Sequence, residues 1–216
     1  MKNRKYFFNI LCFFILFLEF NFVLSDEFEF KANSIETSNK GNIIKGLGGV
    51  EINDNLDLII TGEEFEYNKL DLLLGVKDNV LVKNISNNST IKSKQITYNK
   101  QLNIIYIPDK AIIELAGGHL IESSNITYNR NLNLIFSNNK TLVTDIYKNE
   151  FYTNSFNYSI IDKILTANNV KITDVEKNIY KIKNIKYSLR TNEIIGQDLS
   201  VDFNNKNLKS SQNEPR

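Results

Sequence analysis

The sequence predicts an all-β protein: an elongated, β-solenoid-like array of about six 30-residue repeats. Three observations predict it. The first is a tyrosine column. Tyr67, Tyr98, Tyr128, Tyr158 and Tyr187 recur at intervals of 31, 30, 30 and 29 residues, and Thr37 holds the same place one unit earlier. The second is a set of columns in phase with it. A large apolar residue lies two positions before each tyrosine (Ile35, Phe65, Ile96, Ile126, Phe156, Ile185) and another lies seven before (Phe30, Ile60, Ile91, Ile121, Phe151, Tyr180). Five before, the residue is usually small: Ala32, Gly62, Ser93, Ser123, Thr153, with Ile182 the exception. The third is that no window of the chain after residue 25 sustains a 3.6-residue apolar period, so no helix beyond a turn or two is expected.

Each unit reads as strand, turn, strand, turn, strand. The segment ending at the tyrosine is rich in Ile, Phe, Thr and Tyr, which favour strands. Asn-Lys or Asn-Arg follows, as in Tyr98-Asn99-Lys100 and Tyr128-Asn129-Arg130, and Asn tolerates the left-handed region that turns need. An apolar doublet then opens the next strand: Ile43-Ile44, Leu73-Leu74, Ile104-Ile105, Leu134-Ile135, Ile164-Leu165, Ile194-Ile195. A polar kink precedes pairs such as Val80 and Val82, or Val170 and Ile172, whose i, i+2 spacing puts both side chains on one face. A thirty-residue unit of short strands cannot bury its own apolar face, so each must cover the next.

The chain divides into residues 1–25, a signal peptide; 26–206, the repeat domain; and 207–216, a C-terminal tail. Lys2, Arg4 and Lys5 precede a nine-residue apolar run, Ile10 to Leu18, and Val23-Leu24-Ser25 suits cleavage. The run is too short to span a bilayer. Cys12 lies in its middle, so the exported chain has no cysteine, and disulfides and thiolate metal sites are not expected. Removing three of 26 basic and one of 25 acidic residues leaves 23 against 24. No basic stripe of the kind nucleic acid requires is visible.

Candidate sites are few. His119 is the only histidine and follows Gly117-Gly118 in an expected turn, with no partner in place for catalysis or metal binding. Gly46-Leu47-Gly48-Gly49 is expected to be a turn between strands rather than a phosphate loop. Glu63 and Glu64 are adjacent in a strand and point to opposite faces, which suits a solvated or edge feature. Acidic residues such as Glu66, Asp71, Asp109 and Asp145 read as sitting at unrelated repeat positions, which argues against a carboxylate enzyme; no enzyme, cofactor or metal is expected. The tyrosine column reads as structural, with each hydroxyl reaching a turn backbone.

The phrase apolar-x-x-small-x-x-apolar-x-Tyr, then a polar turn, an apolar doublet and Gly/Asn-Val, resembles the OstA-type repeat. It is visible from Ile91 to Tyr98 with Ile104-Ile105, and in Gly49-Val50, Asn79-Val80 and Asn169-Val170. That repeat builds lipopolysaccharide-transport proteins, LptA-like or the N-terminal periplasmic domain of LptD-like proteins. The resemblance covers nearly all of residues 26–206. It implies that the array is an elongated twisted open β-jellyroll whose V-shaped interior carries lipid acyl chains. It leaves open a stand-alone LptA-like chain or an LptD-like domain without its barrel, and Asn213-Glu214-Pro215-Arg216 resembles the segment leading into that barrel. The absence of cysteine after residue 25 departs from the LptD pattern and puts a disulfide link to a barrel in doubt.

The implied function is lipopolysaccharide transport and assembly, shielding lipid A acyl chains on the way across the periplasm to the outer membrane. The implied partners are lipopolysaccharide, other jellyroll transport proteins joined by edge-strand pairing, and an outer-membrane barrel; nucleic acid is not one. The implied location is the periplasm, in association with the outer membrane. Lipid-trough candidates are Ile60, Phe65, Ile91, Ile96, Ile121, Ile126, Phe151, Phe156 and Ile185. The competing reading is a secreted structural or adhesive β-repeat protein without lipid cargo.

Overall fold

A computed structural model describes residues 28–204. The expected signal peptide, residues 1–25, and C-terminal tail, residues 207–216, lie outside the described residues. Within them the chain forms seventeen strands, β1 (Glu29–Ser38) to β17 (Ser200–Asp202), and one short 3-10 turn at Asn39–Gly41. All strand pairs are antiparallel neighbours in one continuous network.

The network is creased along its length into two facing walls. β3 (Leu58–Asn68) illustrates the crease. Ile59–Gly62 pair with Val50–Asn53 and Leu58–Thr61 with Leu81–Asn84, while the last five residues pair with Ile43–Leu47 and with Leu73–Lys77. Between them the register shifts, at Thr61/Glu64 in β3 and at Leu47/Val50 in one partner, and the other partner shifts at Lys77/Val80 where it pairs with the strand after it. The extra residues of each β-bulge bend the strand sharply. The first wall therefore holds the early half of β3 and the late halves of its two partners, and the second wall holds the other halves.

This corner explains the small column. Ala32, Gly62, Ser93, Ser123 and Thr153 all sit where strands turn from one wall to the other. At Gly62 a Cβ would lie 2.7 Å from the Val76 side chain. Ser93 and Thr153 fold their hydroxyls back onto the carbonyls of Gln95 and Ser155, at 3.0 Å each, so the bend is satisfied locally. Two expectations are corrected here. Gly46–Gly49 is not a turn between strands but the corner of β2 (Ile43–Asn53), with Gly48 and Gly49 at φ of +80 and +83. The polar kinks inside units are likewise the corner rather than hairpin turns, so a unit is two bent arms rather than three separate strands.

True turns occupy the two outer margins. Those of the first wall are residues 54–57, 85–88, 115–119, 145–149 and 174–178. Those of the second are 39–42, 69–72, 100–103, 130–133, 160–163 and 189–192. Asp54, Asp145 and Asp174 open three turns of the first margin, and each accepts backbone N–H groups of its own turn: Asp54 from Leu56, Asp57 and Leu58, Asp145 from Tyr147 and Asn149, Asp174 from Asn178. The acidic positions are therefore less scattered than the sequence suggests. Three recur at one place, where they cap turns.

Between the walls lies one continuous apolar core running from Phe28 to Tyr187. With twelve rungs per wall at ~4.8 Å, the array extends on the order of 50 Å. The outermost units are incompletely covered: Ile35 at one end is 47% exposed and Ile194, opposite Tyr187 at the other, 39%.

Candidate functional site

The nine trough candidates fall on the two inner faces. Ile60, Ile91, Ile121 and Phe151, from the column seven before the tyrosine, line the first wall. Phe65, Ile96, Ile126, Phe156 and Ile185, from the column two before it, line the second. None is more than 4% exposed. The walls touch through side chains: Phe30 of the first stacks on Phe65 of the second at 4.6 Å between centroids, and Phe151 stacks on Tyr187 at 5.1 Å. The candidates thus share one interior, and that interior is packed against itself rather than presented as an open groove. A surface cleft of about 500 Å³ lies on the outside of the corner instead, lined by polar groups including Lys110, Ser124, Lys140 and Asn154.

The two long sides of the sandwich differ in kind. At the corner the walls are joined by backbone. At the other side, the mouth, the two rows of turns meet only through side chains. Arg130 projects from the second margin across to Asp54 and Asp57 of the first. Its Nη1 lies 2.7 Å from Asp54 Oδ2, and its Nη2 donates to Asp57 Oδ1. The Asp54 contact is an ion pair without a well-directed hydrogen bond, because that oxygen has no partner by hydrogen-bond geometry. Nη1 also donates to Asn103 Oδ1 at 3.0 Å and to the Tyr98 hydroxyl. The Arg130 side chain is 7% exposed and that of Asp54 is fully buried. Lys100 adds a bond from Nζ to the Asp54 carbonyl at 3.2 Å and lies over the Phe28 ring. Burial pushes the Tyr98 phenol up to about 12, with Arg130 opposing and Asp54 adding, so it stays neutral beside the guanidinium.

Further along the mouth the closure is uncharged. Asn84 Nδ2 donates to the Tyr128 hydroxyl at 3.3 Å. His119 Nε2 lies 3.1 Å from the Tyr187 hydroxyl, which donates to Asn192 Oδ1. That arrangement makes Nε2 the donor and leaves Nδ1 as the bare nitrogen, and Nδ1 is indeed buried without a partner. Burial pushes His119 below its ordinary value, against the opposing influence of Asn192 and Asp145. A small void of about 20 Å³ lies between the turn rows beside Ser89, Leu115 and Ile160, far too small for a hydrocarbon chain.

The tyrosine column is therefore structural in its rings, but Tyr98, Tyr128 and Tyr187 send their hydroxyls to side chains at the mouth rather than to turn backbone. Sequence reading missed Arg130, Asp54 and Asp57. One signal was present: the turns at Lys69 and Lys100 carry lysine where this one carries arginine, the residue suited to holding two carboxylates at once. Glu63 and Glu64 are solvated as expected, accepting from Asn79 and pairing with Lys77. No group of three or more His, Cys, Asp or Glu is placed to hold a metal among the described residues.

No protein-family profile matches the chain, and no curated protein matches it. Among solved structures it is similar to LptH of Pseudomonas aeruginosa, described as the LptA-homologous periplasmic component of the lipopolysaccharide transport device. The identity is 9%, the match covers 82% of this chain and 95% of that one, and the TM-score is 0.27.

Proposed function

We propose that this protein shields the acyl chains of an amphipathic lipid, lipopolysaccharide, between its two walls during passage across the periplasm to the outer membrane. One observation carries the reading: a continuous apolar interior is sealed on one side by bent backbone and on the other only by side chains. Such a sandwich opens like a clasp, with the corner as hinge. A lipid A chain of ~12–14 carbons costs on the order of 10 kcal/mol to expose to water. Tails entering at the mouth replace the wall-to-wall contacts they displace, so the apolar residues stay dry and the main cost of opening is the polar closure.

The terminal strands extend the proposal to partners. Among the described residues β1 (Glu29–Ser38) pairs only with β2, and β16 (Glu193–Gln197) and β17 pair only with β15 (Ile179–Ser188). Their outer edges offer unpaired backbone groups to another jellyroll, and stacking end to end would continue the trough. An outer-membrane barrel following the chain belongs to the same proposal. The sequence contains no Gly-x-x-x-x-Gly-Lys-Ser/Thr loop, so the energy for transport comes from elsewhere.

The packed interior favours a second reading, a structural or adhesive array with no cargo. Site-specific photocrosslinking separates the two. A photoactive residue at Ile96 or Ile126 is expected to capture added lipopolysaccharide, whereas one at outward-facing Lys92 is not. Capture at Lys92 alone, or nowhere, supports the cargo-free array.

A further inference from the structure

The turns of the second margin form one continuous rim. The first N–H of each donates to a carbonyl of the turn before it: Lys69 to Asn42, Lys100 to Leu72, Arg130 to Asn103, Ile160 to Asn133 and Leu189 to Lys163, at 2.9–3.0 Å. Neighbouring turns are two strands apart, about 10 Å. Each of the four central turns then points an aliphatic side chain into solvent: Leu70 is 70% exposed, Leu102 55%, Leu132 68% and Ile161 67%. Single exposed leucines are ordinary. Four consecutive stitched turns share the feature; the facing margin also exposes Leu56, Ile85, Ile146, Tyr147 and Val175 on its turns, so exposure alone does not set the two rims apart.

The charge on this rim says what the row fits. Leaving out Arg130, Asp54 and Asp57, which pair with one another across the mouth, the six turns of this rim carry five Lys or Arg against two carboxylates, whereas the five turns of the facing margin carry two Lys against three carboxylates. Lys40, Lys69, Lys163 and Arg190 form no ion pair among the described residues. Discrete aliphatic tips, spaced apart on a basic ridge, suit a headgroup layer, where each tip enters the acyl boundary separately and cations meet phosphates. A protein partner would instead be met by a contiguous, closely packed apolar patch.

We infer that this rim docks the protein on an anionic phospholipid surface, with Leu70, Leu102, Leu132 and Ile161 inserted at the acyl boundary and Lys69 and Lys163 against the phosphates. The inference goes beyond the carrier reading and does not rest on it, since a cargo-free array could lie on a membrane in the same way. Docking by this rim holds the mouth at the lipid surface.

The chain contains no tryptophan, so one introduced at Leu132 reports on this rim alone. In the full chain, Leu132→Trp emission is expected to shift blue and to be quenched by brominated acyl chains on vesicles of equal phosphatidylglycerol and phosphatidylcholine. Ile112→Trp, on the outer face of the first wall, is expected to show neither. Adding Lys69→Glu and Lys163→Glu should weaken the Leu132→Trp response at least about tenfold. The inference is overturned by an unchanged Leu132→Trp emission, by an equal response at Ile112→Trp or on pure phosphatidylcholine, or by a blue shift that needs no vesicles and grows with protein concentration. The last result would assign the rim to contact between copies of the chain.

Discussion

The mouth is closed near one end by a buried charge cluster, Arg130 with Asp54 and Asp57, and near the other by a neutral pair, His119 with Tyr187. Both join the same two rows of turns, and both lie on tyrosines of the same column. They differ in what holds them. The charged closure keeps ions out of water, and losing one partner strands the others in a desolvated site. The neutral closure contributes a hydrogen bond and keeps an imidazole uncharged by burial, so it depends on pH. The lesson is that one repeat geometry can carry a strong, constitutive closure and a weaker, titratable one. A sandwich of this kind need not open uniformly along its length.

The comparison can be tested in order of expected effect. Ile126→Asp, between the two closures, places an unpaired charge in the fully buried core and is expected to cost on the order of 5 kcal/mol, enough to unfold most of the chain at room temperature. A cooperative melt close to the parent's would mean that the column faces solvent. Arg130→Ala is expected to cost about 3–5 kcal/mol, because Asp54 is then left buried without its cation. Denaturant midpoints measure this, and a loss under 1 kcal/mol would show that the cluster does not hold the mouth. The double variant Arg130→Met with Asp54→Leu should recover part of the loss.

The neutral end answers to acid. The folded state holds His119 below its ordinary value of 6.5, so the unfolded chain takes up the proton first as pH falls through that value. Stability from this group is therefore complete above about pH 7, is lost below the unfolded value, and stops falling once pH passes the lowered folded value. Melting temperatures at pH 7.5 and 5.5 should differ by less in His119→Phe than in the parent; an identical difference would remove His119 as the sensor. Tyr187→Phe, the mildest change, is expected to cost about 1 kcal/mol by taking away the partner of His119 Nε2.

The periodic part of this architecture was legible in the sequence because every unit meets the same neighbours. The Tyr column and the two apolar columns had to face one core, and they do, except at the ends, where Ile35 has no further unit to cover it. The corner was only half legible. Its small residues were visible, but a bulge and a turn draw on the same residue types, so Gly46–Gly49 could be read as either. The closure was not legible. Arg130 lies 73 residues from Asp57 and 76 from Asp54, and His119 lies 68 from Tyr187, so each contact spans more than two units. That offset comes from the stagger of one wall against the other, which repeat spacing does not encode.

The account rests on the mouth parting while the corner holds. Spin labels at Leu56 and Leu132, exposed turn positions on opposite margins beside the charged closure, report its width directly by pulsed dipolar spectroscopy. Adding lipopolysaccharide should move the distance distribution to longer values, and Arg130→Ala should move it further at the same lipid concentration. A distribution that lipopolysaccharide leaves unchanged, in the parent and in Arg130→Ala alike, would contradict the clasp.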